Sequence, residues 1–253
     1  MMALLDLNGV TKTFGGLTAV GDVSFTVEEG SVVGLIGPNG AGKTTVFNLI
    51  TGNYVPNSGS ILFEGRELSG MATNKIVSSG IARTFQTIRL FQKMSVVENV
   101  LAGCHCRMKS GIFSAMLRTP SQRREELAAL ELAMRELAFV GLAHQAENLA
   151  ANLSYGNQRL LEIARALATG PKLIILDEPA GGMNPQETDQ LVALIAKLKE
   201  RGITVLLIEH DMSLVMRACE KLVVLEYGIK IAEGKPDAVK TDPRVIEAYL
   251  GTD

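Results

Sequence analysis

Eight consecutive residues, Gly37-Pro38-Asn39-Gly40-Ala41-Gly42-Lys43-Thr44, have the types and spacing needed to grip phosphate. They fit G-x-x-x-x-G-K-[ST], and they follow an apolar run and precede a helical pattern, where that chemistry requires them. The glycines let the backbone curl so that successive N–H groups point inward at a β-phosphate. Lys43 would then neutralise β- and γ-phosphate oxygens, and the Thr44 hydroxyl would ligate Mg²⁺. A Gly-rich turn with an incidental lysine is the bland reading, and the strand-to-helix context argues against it. A second element, Lys172 to Glu178, ends an apolar run on two adjacent carboxylates. Asp177 falls at the carboxyl end of a strand, where an open α/β sheet places its ligand, and is suited to holding Mg²⁺ through water. Glu178 reaches one residue further and is suited to polarising a water. On these residues alone, a strand that simply ends in a turn at Asp177-Glu178-Pro179 remains an equal alternative.

The elements that must position these groups are visible in the pattern of apolar residues. Ser31–Ile36, Lys172–Asp177, Ile203–Ile208 and Leu222–Leu225 are short, β-branched and nearly free of polar alternation. Such strands are buried on both faces, which predicts a parallel sheet covered by helices on both sides. Helices are expected at Lys43–Ile50, Leu160–Ala168 and Pro185–Glu200, the last carrying a Leu191, Leu194, Ile195, Leu198 stripe. Leu4–Val10, Val23–Val27 and Ser60–Phe63, linked by Gly-rich turns, suggest a small antiparallel sheet beside the parallel one. From Thr87 to Ala151 the β signal fades, and Leu127, Leu130, Met134 and Leu137 recur at helical spacing. Arg107–Gln122 reads as a mobile connection within this helical lobe.

Composition bounds the rest. Of 253 residues, 47% are hydrophobic and 21% charged, which excludes a disordered chain, a collagen and a coiled coil. The net charge of −2 leaves no basic stripe to act as an electrostatic footprint for nucleic acid. No apolar run approaches the ~20 residues needed to span a bilayer, and the first eleven residues lack the layout of a secretory signal, so a cytoplasmic protein is expected. Three cysteines cannot build a disulfide framework. Cys104-His105-Cys106 lacks the spaced second pair of a metal clip and reads as packing or surface thiols.

Leu153-Ser154-Tyr155-Gly156-Asn157-Gln158, standing before a helix rich in Arg, Glu and Ala, resembles the L-S-G-G-Q signature of the ATP-binding-cassette (ABC) ATPases. Gln86 matches that family's Q-loop, His210 its switch histidine, Phe14 its adenine-stacking aromatic and Asn184 its D-loop position. These motifs occur in the family's order and cover nearly the whole chain. The resemblance implies an ATPase using ATP and Mg²⁺, with Glu178, His210 and Gln86 catalytic and with Thr44, Gln86 and Asp177 around the metal. It assigns nucleotide contacts to Phe14, to Gly37 through Thr44, to Thr45, and to Ser154, Gly156 and Asn157. The signature lies far along the chain from the phosphate loop, so it would serve the ATP of a second subunit packed head to tail. Tyr155, Asn157 and Asn184 depart from the commoner Gly, Gln and Asp. Taken singly, Gln86 is an ordinary loop glutamine, His210 a strand-end histidine and Phe14 a core aromatic.

The implied fold is a single α/β P-loop domain over 1–253. Residues 1–86 with 152–253 would form the nucleotide-binding core with its antiparallel β subdomain, and 87–151 a helical subdomain with the signature 153–158 at its end. Lys12 to Val20, Tyr155, Asn184 to Thr188 and the ending Ala248-Tyr249-Leu250-Gly251 resemble the LivG-type branch, the ATPases of bacterial branched-chain amino acid importers. That branch implies two membrane permeases as partners, a periplasmic substrate-binding protein acting indirectly, and a peripheral place on the cytoplasmic face of the inner membrane. A urea or amide importer and a lipopolysaccharide-export ATPase share nearly all these motifs. A soluble cassette ATPase usually carries two cassettes or a long coiled-coil insertion, which this chain lacks. Thr87, Ile88, Arg89, Leu90 and Phe91 would form a groove for a permease helix, or would pack inside the helical lobe.

Overall fold

The computed structural model describes residues 3–104 and 120–250. Along the chain, β1 (Ala3–Phe14), β2 (Leu17–Glu28) and β3 (Val32–Ile36) lead into helix α1 (Lys43–Ile50). Next come β4 (Ser58–Phe63), β5 (Arg66–Glu67), α2 (Thr73–Ser78) and β6 (Ile81–Arg83). Helices α3 (Val96–Cys104), α4 (Pro120–Phe139) and α5 (Tyr155–Leu167) precede β7 (Leu173–Asp177), α6 (Pro185–Glu200) and β8 (Thr204–Ile208). The chain closes with α7 (Met212–Ala218), β9 (Lys221–Glu226), β10 (Ile229–Gly234), α8 (Pro236–Lys240) and α9 (Pro243–Leu250).

The central sheet runs β10-β9-β3-β8-β7-β6. The four predicted apolar strands are its four central members, parallel to one another. Alternate residues divide between two cores, as the pleat demands. Val33, Leu35, Ile175, Leu206 and Val223 face α1 and the small antiparallel sheet, which is ordered β2-β1-β4-β5. Val32, Ile36, Ile174, Leu207 and Val224 face the helices on the other side. Both faces are dry, so these strands read as continuous apolar runs. The sheet continues beyond the predicted four: parallel β6 adds one edge and antiparallel β10 the other. Three residues of strand are too few to carry a period, and β10 buries only one of its six residues.

Helix α4 bears out the helical spacing of Leu127, Leu130, Met134 and Leu137, but these residues are not buried alike. Leu127 and Leu130 are exposed, while Ala129, Ala133 and Leu137 are buried, with Glu136 beside them in a two-pronged ion pair with Arg201. Alanines at i and i+4 let α4 lie close to its neighbours with Leu137 buried beside them, and Leu127 and Leu130 are left exposed. The expected connection at Arg107–Gln122 lies outside the described residues as far as 119, and its last three residues already belong to α4. His105 and Cys106 also lie outside them, whereas Cys104 is buried at the end of α3. Among the described residues no helix is long and apolar enough to cross a membrane.

Candidate functional site

The phosphate-loop sequence joins the carboxyl end of β3 to α1. Gly37 stands at φ +149°, and a Cβ there would run into the Leu225 carbonyl and stand 3.0 Å from the Ala41 side chain, so glycine is required. Its far side is tied down: the Gly228 N–H donates to the Ala41 carbonyl at 3.0 Å, and the Gly21 N–H to the Gly228 carbonyl at 2.9 Å. Lys43 is buried, its Nζ donating to the carbonyls of Gly37 (2.6 Å) and Pro38 (3.0 Å). Burial holds its pKa below that of an ordinary lysine, against the opposing pull of Glu178, Asp177 and Glu209. A cavity of about 390 Å³ opens over the loop, walled by Leu17, Thr18, Ala19, Gln86, Glu178 and Tyr227 as well as residues 39–45.

Strand β7 ends on the two carboxylates, of which Glu178 lines this cavity and Asp177 stands buried behind it. Asp177 is 6% exposed, and its carboxyl is pushed up to about 6, first by burial and then by the charge of Glu178. Glu178 sits at φ +45°, a left-handed conformation costly for a side chain with a Cβ and held here by its N–H donating to the Ile208 carbonyl at 2.9 Å. One carboxylate oxygen accepts from the Gln86 amide at 2.8 Å, and the other stands 3.6 Å from His210 Nδ1. Residues separated by up to 124 positions thus meet at one carboxylate. A buried lysine beside inward-facing backbone, with hard oxygen donors at Thr44 and Asp177, fits a polyphosphate carrying a hard divalent cation.

The sequence profile described as "ABC transporter" matches residues 20–181, and one described as "Branched-chain amino acid ATP-binding cassette transporter" matches 230–253. The chain belongs to the ABC transporter family. This cassette is 49% identical, over 98% of both chains, to the high-affinity branched-chain amino acid transport ATP-binding protein BraF of Pseudomonas aeruginosa. It is 48% identical, again over 98% of both, to LivG of Escherichia coli K12, which bears the same description. Among solved structures, an ADP conformation of an ATP-binding cassette of an ABC transporter superposes with a TM-score of 0.87 at 36% identity, covering 100% of each chain. The protein is therefore an ABC-type ATPase with the P-loop fold, and members of its family work as dimers with membrane permease subunits.

The other residues that the resemblance singled out fall elsewhere on the molecule. Ser154 is the N-cap of α5, its Oγ accepting from the Asn157 N–H at 3.3 Å; Ser154, Gly156 and Asn157 do not line the cavity of their own chain. A Cβ on Gly156 would meet the Glu187 carboxylate, so a side chain here would displace Glu187 from its place at the start of α6. Phe14 also stands outside the cavity wall, edge-on to Tyr54 with ring centres 5.1 Å apart. Asn184 caps α6 in a reciprocal box with Glu187, a role that Asn fills as well as Asp. Beyond Gln86, Leu90 packs on the helical core while Phe91 is 52% exposed, at the edge of a groove of about 410 Å³ lined by Val77, Phe85, Ala102 and Ala166.

Glu209 escaped the sequence reading. It is buried, accepts from the backbone N–H groups of Ala180 (3.1 Å), His210 (3.1 Å) and Asp211 (3.4 Å), and has its pKa raised by burial against those bonds. It joins the turn after Glu178 to the segment bearing His210. A carboxylate directly after an all-apolar strand was the available signal. Thr84 was missed as well: its buried hydroxyl accepts from the Asp177 N–H at 3.3 Å.

Proposed function

We propose that this ATPase powers an importer of branched-chain amino acids, with the resemblance to BraF and LivG along the whole chain supporting the cargo. The observation that carries the mechanism is the meeting of Gln86, Glu178 and His210 over the phosphate loop. Lys43 and the loop N–H groups hold the β- and γ-phosphates. Glu178 accepts a proton from water as its oxygen attacks the γ-phosphorus and the bond to ADP breaks. His210 steadies that water and the γ-phosphate, and Gln86 orients the carboxylate. Thr44, Asp177 and Gln86 would hold Mg²⁺, which supplies charge neutralisation on the phosphates. The carboxyl of Asp177, buried beside Glu178, is a place where a cation is electrostatically favoured. Phe14 and Thr45 complete the nucleotide contacts. We assign 1–86 with 152–253 to the nucleotide-binding core and 87–151 to the helical subdomain.

Two copies would pack head to tail, so that Ser154, Gly156 and Asn157 of one face the ATP held by the other. Ser154→Ala is expected to slow hydrolysis without altering the affinity of an isolated monomer for ATP. Its lost helix cap costs about 1 kcal/mol, which a melting curve reads separately. Mixing it with a Lys43 variant should restore part of the activity, because one composite site per heterodimer stays complete. Absence of any ATP-dependent dimer on a sizing column would defeat the arrangement.

The groove beside Phe91 would receive a short helix of each permease, keeping the ATPase on the cytoplasmic face of the membrane with the periplasmic receptor beyond reach. Leu90 is too well packed for a clean test. Phe91→Asp is expected to melt with the wild type and bind nucleotide, yet fail to co-purify with the permeases. Normal assembly and normal leucine uptake by vesicles carrying this variant would reject the groove. Reconstituted with its permeases and receptor, the unaltered ATPase should drive leucine, isoleucine or valine uptake; uptake of urea instead would replace the cargo.

A further inference from the structure

The arginine one turn into the signature helix holds the Q-loop by its backbone. Arg159 is 4% exposed, and its guanidinium is spent on the backbone of that loop. Its Nη1 donates to the Phe85 carbonyl at 2.6 Å, and Nη2 donates to the Gln86 carbonyl and to the Tyr155 hydroxyl at 3.0 Å. Three residues past Gln86, Arg89 is held from the same helix. Its N–H donates to Glu162 at 3.1 Å, and its carbonyl accepts from Arg165 at 2.6 Å. Glu162 in turn pairs with Arg159 at 3.3 Å. One planar fork on two adjacent carbonyls fixes a peptide plane, which a single point contact cannot do. The fork is turned so completely to this task that its Nε is buried without a hydrogen-bond partner.

Tyr155 reaches the other half of the same arrangement. Its ring lies over Gly182, where a Cβ would stand 3.0 Å away, in the turn that begins with the Gly181 N–H donating to the Glu178 carbonyl at 3.2 Å. The Arg159–Tyr155 pair therefore touches the backbone on both sides of the 2.8 Å Gln86–Glu178 hydrogen bond. We propose that Arg159 is a positioning residue for Gln86, and that Tyr155 holds its guanidinium and seats it against the turn after Glu178. A glycine at 155 has no hydroxyl to offer and no ring to fill this space, which gives the Tyr155 departure a physical purpose. The proposal rests on the reading that Gln86 orients Glu178.

The test measures steady-state ATPase of the full chain for Arg159→Lys and Tyr155→Phe, each in the wild-type and in a Gln86→Ala background. Lysine keeps the charge but cannot bridge two carbonyls, and Phe removes one oxygen only, so it is expected to fold even where Arg159→Lys does not. Expected are losses in kcat of about tenfold and about threefold with KM unchanged, shrinking to less than about twofold when Gln86 is already absent. Equal losses in both backgrounds, or a change confined to KM, would overturn the positioning role while leaving the Gln86 reading intact. A Gln86→Ala enzyme with wild-type kcat would instead remove the reading on which the proposal stands.

Discussion

Replacing Glu178 with Gln is expected to cut single-turnover hydrolysis by about 10²- to 10⁴-fold while ATP still binds, because the amide fills the same space but cannot take the water's proton. The surroundings can keep it in place. An amide oxygen at 178 accepts from the Gln86 Nε2 as the carboxylate does at 2.8 Å, and the N–H bond to the Ile208 carbonyl belongs to the backbone. Losing the charge also relieves Asp177, whose raised pKa owes its second-largest contribution to Glu178. Asp177 is then ionised more readily, and nucleotide binding should hold or tighten. The variant should accumulate as an ATP-bound dimer on a sizing column. A turnover rate equal to wild type would take Glu178 out of its role as base.

Lys43→Ala is expected to weaken ATP binding itself, by about 10²- to 10⁴-fold in calorimetry. The estimate comes from losing two charge-assisted hydrogen bonds to phosphate, each worth about 1.5–3 kcal/mol. Lys43 is the ammonium facing Asp177, Glu178 and Glu209, so its removal leaves three carboxylates without that compensation where an anionic ligand must arrive. The carbonyls of Gly37 and Pro38 lose their donor as well, and a melting curve on the same sample separates that cost from the binding loss. The contrast between the two variants is the sharper result: one binds without turning over, the other fails to bind. Unchanged affinity for Lys43→Ala would place the phosphates elsewhere.

How legible these features were depended on how local their causes are. The central strands could be read from four consecutive or near-consecutive apolar runs, since a strand covered on both faces needs no outside information to look the way it does. The phosphate loop was equally plain, because a curled backbone between strand and helix requires its glycines in a row. Helices α1 and α6 began and ended where the sequence pattern put them, at Lys43–Ile50 and Pro185–Glu200. For α4 the same reasoning found the helix but held no information on which of its faces is covered. The leucines supplied the period, but Leu127 and Leu130 are exposed while Leu137 is buried with Ala129 and Ala133, an outcome that rests on contacts periodicity does not contain.

By itself, the amino-acid order determined the parallel α/β core, the phosphate-binding turn and the carboxylate pair at the end of β7. Each of these is specified by neighbours a few positions apart. Only the tertiary structure decided what surrounds that pair. Gln86 reaches Glu178 across 92 positions, Arg159 takes the Phe85 carbonyl across 74, and Glu209 collects the Ala180 N–H across 29. Such bonds exist because the sheet brings distant strand ends to one edge, and the helical lobe lays its signature helix against the loop that leaves β6. Nothing in the residues near Arg159 distinguishes an arginine in solvent from one that holds two buried carbonyls; the fold makes that difference by removing the water that would otherwise satisfy them.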